Sequence, residues 1–183
     1  RGWFCTGVEN PDMIREILAH PDPRLRQVSR PVERFDDEMR SLVDDMIDTM
    51  HDAEGIGLAA VKIGVHLRVA VMKVDENPLR VMINPEYEKL GEPMELDEGC
   101  LSVPGVREKT KSRVDRVHVR ALDLEGQPYA FEASGLEAAC VQHECDHIDG
   151  HLYVDCLSNV RRARVLKRYR RERERAAERE TRD

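Results

Sequence analysis

The sequence lacks any apolar run that approaches the ~20 residues needed to cross a bilayer, so it predicts no membrane span. Its first residues, RGWFCTGVENPD, also lack the apolar segment of a secretory signal. No internal repeat is detectable. These absences predict a cytoplasmic protein that has no membrane partner.

Cysteine is too scarce and too irregularly spaced for a disulfide framework. There are five cysteines, an odd number, and no regular spacing relates them. We therefore expect a reducing compartment, in which any special cysteine serves a metal or catalysis. The five are Cys5, Cys100, Cys140, Cys145 and Cys156.

Charge is spread unevenly along the 183 residues, a length that fits one domain. The net charge is −7, but residues 158–183 carry eleven Arg or Lys against five Asp or Glu. This tail either meets a polyanion or is a solvated helix with ion pairs between successive turns. The sequence predicts three parts: an extension at 1–12 that is native or left from cloning, a domain at 13–157, and a charged C-terminal helix at 158–183.

Periodicity predicts three helices. Apolar residues at helical spacing over 35–50 indicate an amphipathic helix, with Asp36 or Asp37 as its N-terminal cap. Segment 136–148 is nearly apolar in its first half, which is typical of a helix in the centre of a core. Segment 159–180 predicts a long polar helix.

Short β-rich runs predict the sheet. They lie at 67–74 and 81–84, and an alternating pair at 116–121 and 129–131 is joined by a turn. The expected fold class is therefore α+β, with antiparallel sheets around the central helix and a further helix at the C-terminus.

The strongest chemical signal is His143-Glu144-Cys145-Asp146-His147, on the predicted central helix. Histidines four residues apart lie on one face of a helix, so both imidazoles can bind one divalent metal. Glu144 can then reach a water on that metal.

A catalytic metal usually has three protein ligands and one open position. The zinc peptidases take their third ligand shortly downstream, but residues 148–151 do not match their spacing. Upstream, Cys100 in the segment 98–102 (EGCLS) offers a thiolate that would complete a Cys/His/His site.

Three segments, in this order, resemble the peptide deformylase family. They are 55–60 (GIGLAA), 98–102 (EGCLS) and 142–147 (QHECDH), and the match spans roughly residues 13–157. Together they are far more specific than the histidine motif alone. The resemblance implies a hydrolase that removes the N-formyl group from the formyl-methionine of nascent polypeptides and releases formate.

The resemblance also implies roles for individual residues. Cys100, His143 and His147 would bind one divalent metal, typically Fe²⁺, which Zn²⁺, Ni²⁺ or Co²⁺ can replace. Glu144 would be the general base and then the general acid, and the backbone N–H of Leu101 would help to hold the oxyanion. The substrate would be contacted by Ile56 and Gly57 in the backbone groove, by Leu136, Ala139, Cys140 and Ile56 in the methionine pocket, and by Arg107 near the peptide entrance.

One residue departs from the family pattern, which has Gln where this sequence has Lys62. The Gln side chain donates a hydrogen bond to the oxyanion, and Lys62 can still donate. A buried ammonium is, however, repelled by a nearby dication. The alternative is that Lys62 pairs with Glu144 and holds it inactive. Because loss of an oxyanion donor costs about 10²–10³ in rate, we expect altered and reduced activity.

Two rival functions use the same residues. A metallopeptidase or amidase could use the same metal site, although the segment 98–102 argues against it. A weakly active or inactive relative could bind the ribosome or the nascent chain without turnover, and Lys62 is its only support. Asp146 is expected to orient the outer part of the site, through an arginine such as Arg113.

The basic tail predicts a partner. Residues 159–171 contain seven Arg or Lys and no acid. A deformylase acts on emerging chains, so this segment is expected to meet ribosomal RNA.

Overall fold

Two antiparallel sheets and three α-helices form residues 13–181, the part of the chain that the computed structural model describes. The predicted extension at 1–12 lies outside the described residues. The five-stranded sheet has the order β1-β2-β3-β6-β7, and β4 pairs only with β5. Every pairing between these seven strands is antiparallel, which confirms the expected fold class. The strands are β1 Gly57–Ala59, β2 Val69–Met72, β3 Arg80–Lys89, β4 Pro93–Cys100, β5 Val103–Val114, β6 Arg116–Leu122 and β7 Pro128–Ser134.

Helix α1, Asp37–Asp52, has the predicted N-terminal cap. The side chain of Asp36 accepts a hydrogen bond from the backbone N–H of Met39 at 3.1 Å. The apolar face of α1, including Met46 and Met50, packs against β1 and β2. The helix therefore supports the sheet from the side opposite to the central helix.

Helix α2, Gly135–Ile148, is the central helix. Nearly all of its side chains are buried, and its neighbours include β1, β2 and β7. Gly150 follows it at φ 81°, a conformation that favours glycine and turns the chain away from the helix. The nearly apolar sequence of α2 thus places both motif histidines inside the protein.

The hairpin β4–β5 was not predicted from the sequence. Along β4 the half-buried Met94 and Leu96 alternate with exposed residues, so the apolar face of the strand has only two residues and is a weak signal. The hairpin carries Cys100 at the end of β4 and brings it to α2. Its extended pairing, from Pro93 opposite Val114 to Cys100 opposite Val103, provides one wall of the site.

Helix α3, Asn159–Glu180, packs against β5 through Val165 and Tyr169. The hydroxyl of Tyr169 donates to the carbonyl oxygen of His20 at 2.9 Å. The N–H of His20 in turn donates to the carbonyl oxygen of Ser102 at 2.8 Å. Among residues 13–181, no helix is long and apolar enough to cross a membrane.

Candidate active site

A cavity of about 730 Å³ opens between β1, the hairpin β4–β5 and α2. Every site residue predicted from the sequence lines this cavity, except His147, which lies behind His143. The predicted residues that line it are Ile56, Gly57, Lys62, Cys100, Leu101, Arg107, Leu136, Ala139, Cys140, His143 and Glu144.

Three donor atoms converge at the closed end of the cavity. Cys100 Sγ lies 3.2 Å from His147 Nε2, which lies 3.1 Å from His143 Nε2. All three donors fall within 4.8 Å of one another. One thiolate and two imidazole nitrogens that point at a common centre form the donor set of a catalytic Zn²⁺-like or Fe²⁺-like ion, so the residues fit a single divalent metal.

A buried network behind the histidines orients His143. Because an ionised carboxylate can only accept hydrogen bonds, His143 Nδ1 carries the proton. It donates a hydrogen bond to Glu98 Oε1 at 2.7 Å. This leaves the lone pair of His143 Nε2 free to face the donor centre. Arg113 donates to Glu98 at 2.6 Å and to Asp146 at 2.6 Å. We call Glu98, Arg113, Asp146 and His143 the rear network.

The rear network keeps Glu98 ionised. Burial alone would raise the pKa of Glu98, but hydrogen bonds from His143 and Arg113 outweigh it and lower the pKa to about 2. The contact between Asp146 and Arg113 agrees with the sequence prediction. The bridging role of Glu98 was missed, although Glu98 and Cys100 lie two residues apart on one strand and therefore share a face.

A second buried ion pair faces the cavity. The ammonium of Lys62 lies 3.0 Å from Glu144 Oε1 and 2.9 Å from Oε2, and the two residues are 1% and 2% exposed. Burial alone would lower the pKa of Lys62, but Glu144 and Cys100 outweigh it, and the pKa is raised. We call Lys62 and Glu144 the front pair. Of the two contacts considered for Lys62, the structure has the one with Glu144.

Gly57 allows the front pair to approach β1. A Cβ atom at this position would lie 2.7 Å from Cys140 Sγ and 2.7 Å from Glu144 Oε1. Either contact is shorter than real Cβ atoms make, so only glycine leaves room for both side chains.

The outer part of the cavity has an apolar wall. Leu136 and Ile56 are 38% and 40% exposed beside the cavity, and Cys140 Sγ lies 3.6 Å from the carbonyl oxygen of Ile56. Burial raises the pKa of the Cys140 thiol well above its ordinary value, so this thiol stays neutral. Arg107 lies on the opposite wall, where it donates to Asp97 at 2.9 Å.

Comparisons with known proteins agree with this geometry. The sequence model of the family described as polypeptide deformylase matches residues 14–163. The chain belongs to the peptide deformylase family. It is 52% identical to the peptide deformylase of Azotobacter vinelandii over 158 residues, which is 85% of this chain and 94% of that relative. It is 51% identical, with the same coverage, to the peptide deformylase of Pseudomonas aeruginosa.

Solved deformylase structures have the same fold. The crystal structure of a peptide deformylase from Legionella pneumophila matches with a TM-score of 0.85 and 43% identity, and covers 90% of this chain and 98% of that one. A peptide deformylase from Ehrlichia chaffeensis in complex with actinonin matches with a TM-score of 0.83 and 38% identity, over 87% of this chain and 97% of that one.

Membership of the deformylase family confirms the predicted activity. The protein is a metal-dependent hydrolase that removes the N-formyl group from formyl-methionyl polypeptides. The matching fold does not favour the rival prediction of a relative without turnover.

Proposed function

We propose that Cys100, His143 and His147 hold one divalent ion at the closed end of the cavity, and that Fe²⁺ is the native metal. Their convergence beside Glu144 is the observation that carries this proposal. Zn²⁺, Ni²⁺ or Co²⁺ would fit the same donors, since thiolate and imidazole suit all of them. The chemistry that such an ion supplies is a water of lowered pKa and a polarised carbonyl.

Glu144 moves the proton in this mechanism. It accepts a proton from the attacking water as the water oxygen adds to the formyl carbon. It then returns the proton to the amine as the C–N bond breaks, which leaves formate and a free N-terminal methionine. The N–H of Leu101 and the ammonium of Lys62 donate to the formyl oxygen, where negative charge develops.

The remaining cavity residues hold the peptide. Ile56 and Gly57 contribute an extended backbone that can pair with the substrate backbone. Leu136, Ala139 and Cys140, with Ile56, form the apolar wall that receives the methionine side chain. Arg107 lies where the peptide leaves the cavity.

Lys62 reduces the activity in this scheme, because Glu144 must give up its contact with Lys62 before it can accept a proton. The test is formate release from formyl-Met-Ala-Ser by the Fe²⁺- or Ni²⁺-loaded protein and by its Lys62→Gln variant. We expect both to release formate and the variant to be faster. Equal rates would show that the ammonium serves as an effective oxyanion donor, and absence of formate from both with metal bound would contradict the assigned mechanism.

We also propose that residues 159–171 dock on ribosomal RNA. Arg164, Lys167 and Arg170 are exposed, and within residues 13–181 none of them forms a salt bridge. The test is salt-dependent co-sedimentation with ribosomes. Arg164→Glu with Lys167→Glu should abolish it, whereas the same charge change at Lys89 and Arg116 on the sheet should not. Equal sedimentation of all three proteins would overturn the proposal.

We assign residues 13–157 to the catalytic domain, 158–183 to a charged C-terminal helix and 1–12 to an extension. We place the enzyme in the cytoplasm, where nascent chains emerge and a reducing environment preserves the Cys100 thiolate. Limited proteolysis tests the boundaries. Release of an active fragment that begins near Met13 would support them, and loss of activity with residues 1–12 would contradict them.

A further inference from the structure

We propose that a groove beside the active-site cavity binds acidic residues that follow the N-terminal methionine of the substrate. The inference rests on the proposed placement of methionine in the cavity and goes on to the class of peptide that the enzyme prefers. The groove has a volume of about 280 Å³ and lies between residues 105–107 of β5 and one side of α3. We call it the basic groove.

The basic groove is continuous with the cavity. Gly105, Val106 and Arg107 line both of them, so they form a shared wall. A peptide that leaves the cavity along this wall therefore brings its downstream residues over α3.

The positive charge of the basic groove favours acidic side chains. Arg107, Arg168, Arg171 and Arg175 line the groove, against the single carboxylate of Glu172. The three arginines of α3 are separated by three and four residues, so they share a helix face. Like charges of a basic peptide would be repelled here, whereas guanidinium groups bind carboxylates in a paired geometry.

The arginines are available for a new partner. Arg171 is exposed and forms no salt bridge within residues 13–181. Three of the groove arginines already form ion pairs: Arg107 with Asp97 at 2.9 Å, Arg168 with Glu108 at 2.8 Å and Arg175 with Glu172 at 3.0 Å. The side chains of these arginines are 63%, 48% and 62% exposed. Ion pairs as exposed as these are weak, so a substrate carboxylate can compete for the same guanidinium groups.

The experiment compares two formyl peptides that differ only downstream. One is formyl-Met-Ala-Ser-Asp-Glu-Asp, and the other is formyl-Met-Ala-Ser-Asn-Gln-Asn. At low ionic strength we expect kcat/KM to be about three- to tenfold higher for the acidic peptide, mainly through KM. The preference should disappear at high salt, because exposed charges are screened.

Arg171→Glu should remove the preference and leave the turnover of formyl-Met-Ala-Ser unchanged. Arg170→Glu is the matched control, since Arg170 carries the same charge on an adjoining helix face outside the groove and should retain the preference. Equal kcat/KM for the two peptides at low salt would overturn the proposal. So would a preference that survives Arg171→Glu, or one that both variants remove equally.

A binding measurement separates this proposal from the mechanism. Fluorescence anisotropy of labelled, unformylated Met-Ala-Ser-Asp-Glu-Asp measures the affinity of the groove for this peptide without any turnover. If formyl-Met-Ala-Ser released no formate, the proposed mechanism would fail, while binding of the labelled peptide would still test the groove. Two results together would overturn the peptide proposal and indicate a general polyanion surface. They are equal binding of the acidic and neutral peptides, and loss of that binding when a short RNA of the same charge is added.

Discussion

The rear network and the front pair are two buried sets of carboxylates and cations within one active site. In the rear network Arg113 contacts two carboxylates, and Glu98 also accepts from Thr110 and His143. In the front pair the side chains of Lys62 and Glu144 interact mainly with each other. Similar groups thus have different tasks: the rear network holds His143 in place, whereas the front pair restrains Glu144, the residue for which we propose proton transfer.

The largest expected effect comes from Glu144→Gln. This change preserves shape but removes the proton acceptor, so formate release should fall by about 10²–10⁴. Metal content, measured by atomic emission, should not change. Retention of near-normal turnover would show that another group moves the proton.

Gly57→Ala should disturb the front pair and Cys140 but not the metal donors. The new Cβ would displace Glu144 and Cys140, and a misplacement of about 1 Å costs roughly 100-fold in rate. We expect kcat to fall on this scale while metal affinity stays within about twofold, because the donor atoms are not displaced.

Arg113→Gln should break the rear network. Loss of a ligand-orienting partner typically lowers metal affinity by about 10–100-fold. Removing one member of a buried ion pair also costs about 3–5 kcal/mol in the free energy of unfolding. Chelator competition and denaturant unfolding measure the two effects. Unchanged metal affinity in a destabilised variant would assign the network to folding alone.

Lys62→Gln should have the smallest effect on stability. Gln can still donate to Glu144, and the divalent ion that we propose beside Glu144 would keep a positive charge next to this carboxylate. The free energy of unfolding of the metal-loaded protein should therefore change by only about 1–2 kcal/mol. Denaturant unfolding beside Arg113→Gln gives the comparison directly. A loss as large as that of Arg113→Gln would mean that the front pair also holds the fold together.

The sequence predicted residues that the fold brings together around the cavity, but not the connections behind them. His143 and His147 are fixed by helical spacing, and Cys100 was found from its motif. The rear network depends on the register of β4 against β5, and the two apolar residues that alternate along β4, Met94 and Leu96, are too few to predict that register. For Lys62 the sequence left two partners open, because only a distance can distinguish them.

The bond from Tyr169 to His20, and from His20 to Ser102, connects α3 to the turn that follows Cys100. A partner that binds α3 is thereby connected to the wall of the cavity. A partner bound to α3 would then determine the orientation of the active-site opening relative to an emerging chain, in addition to keeping the enzyme close to that chain.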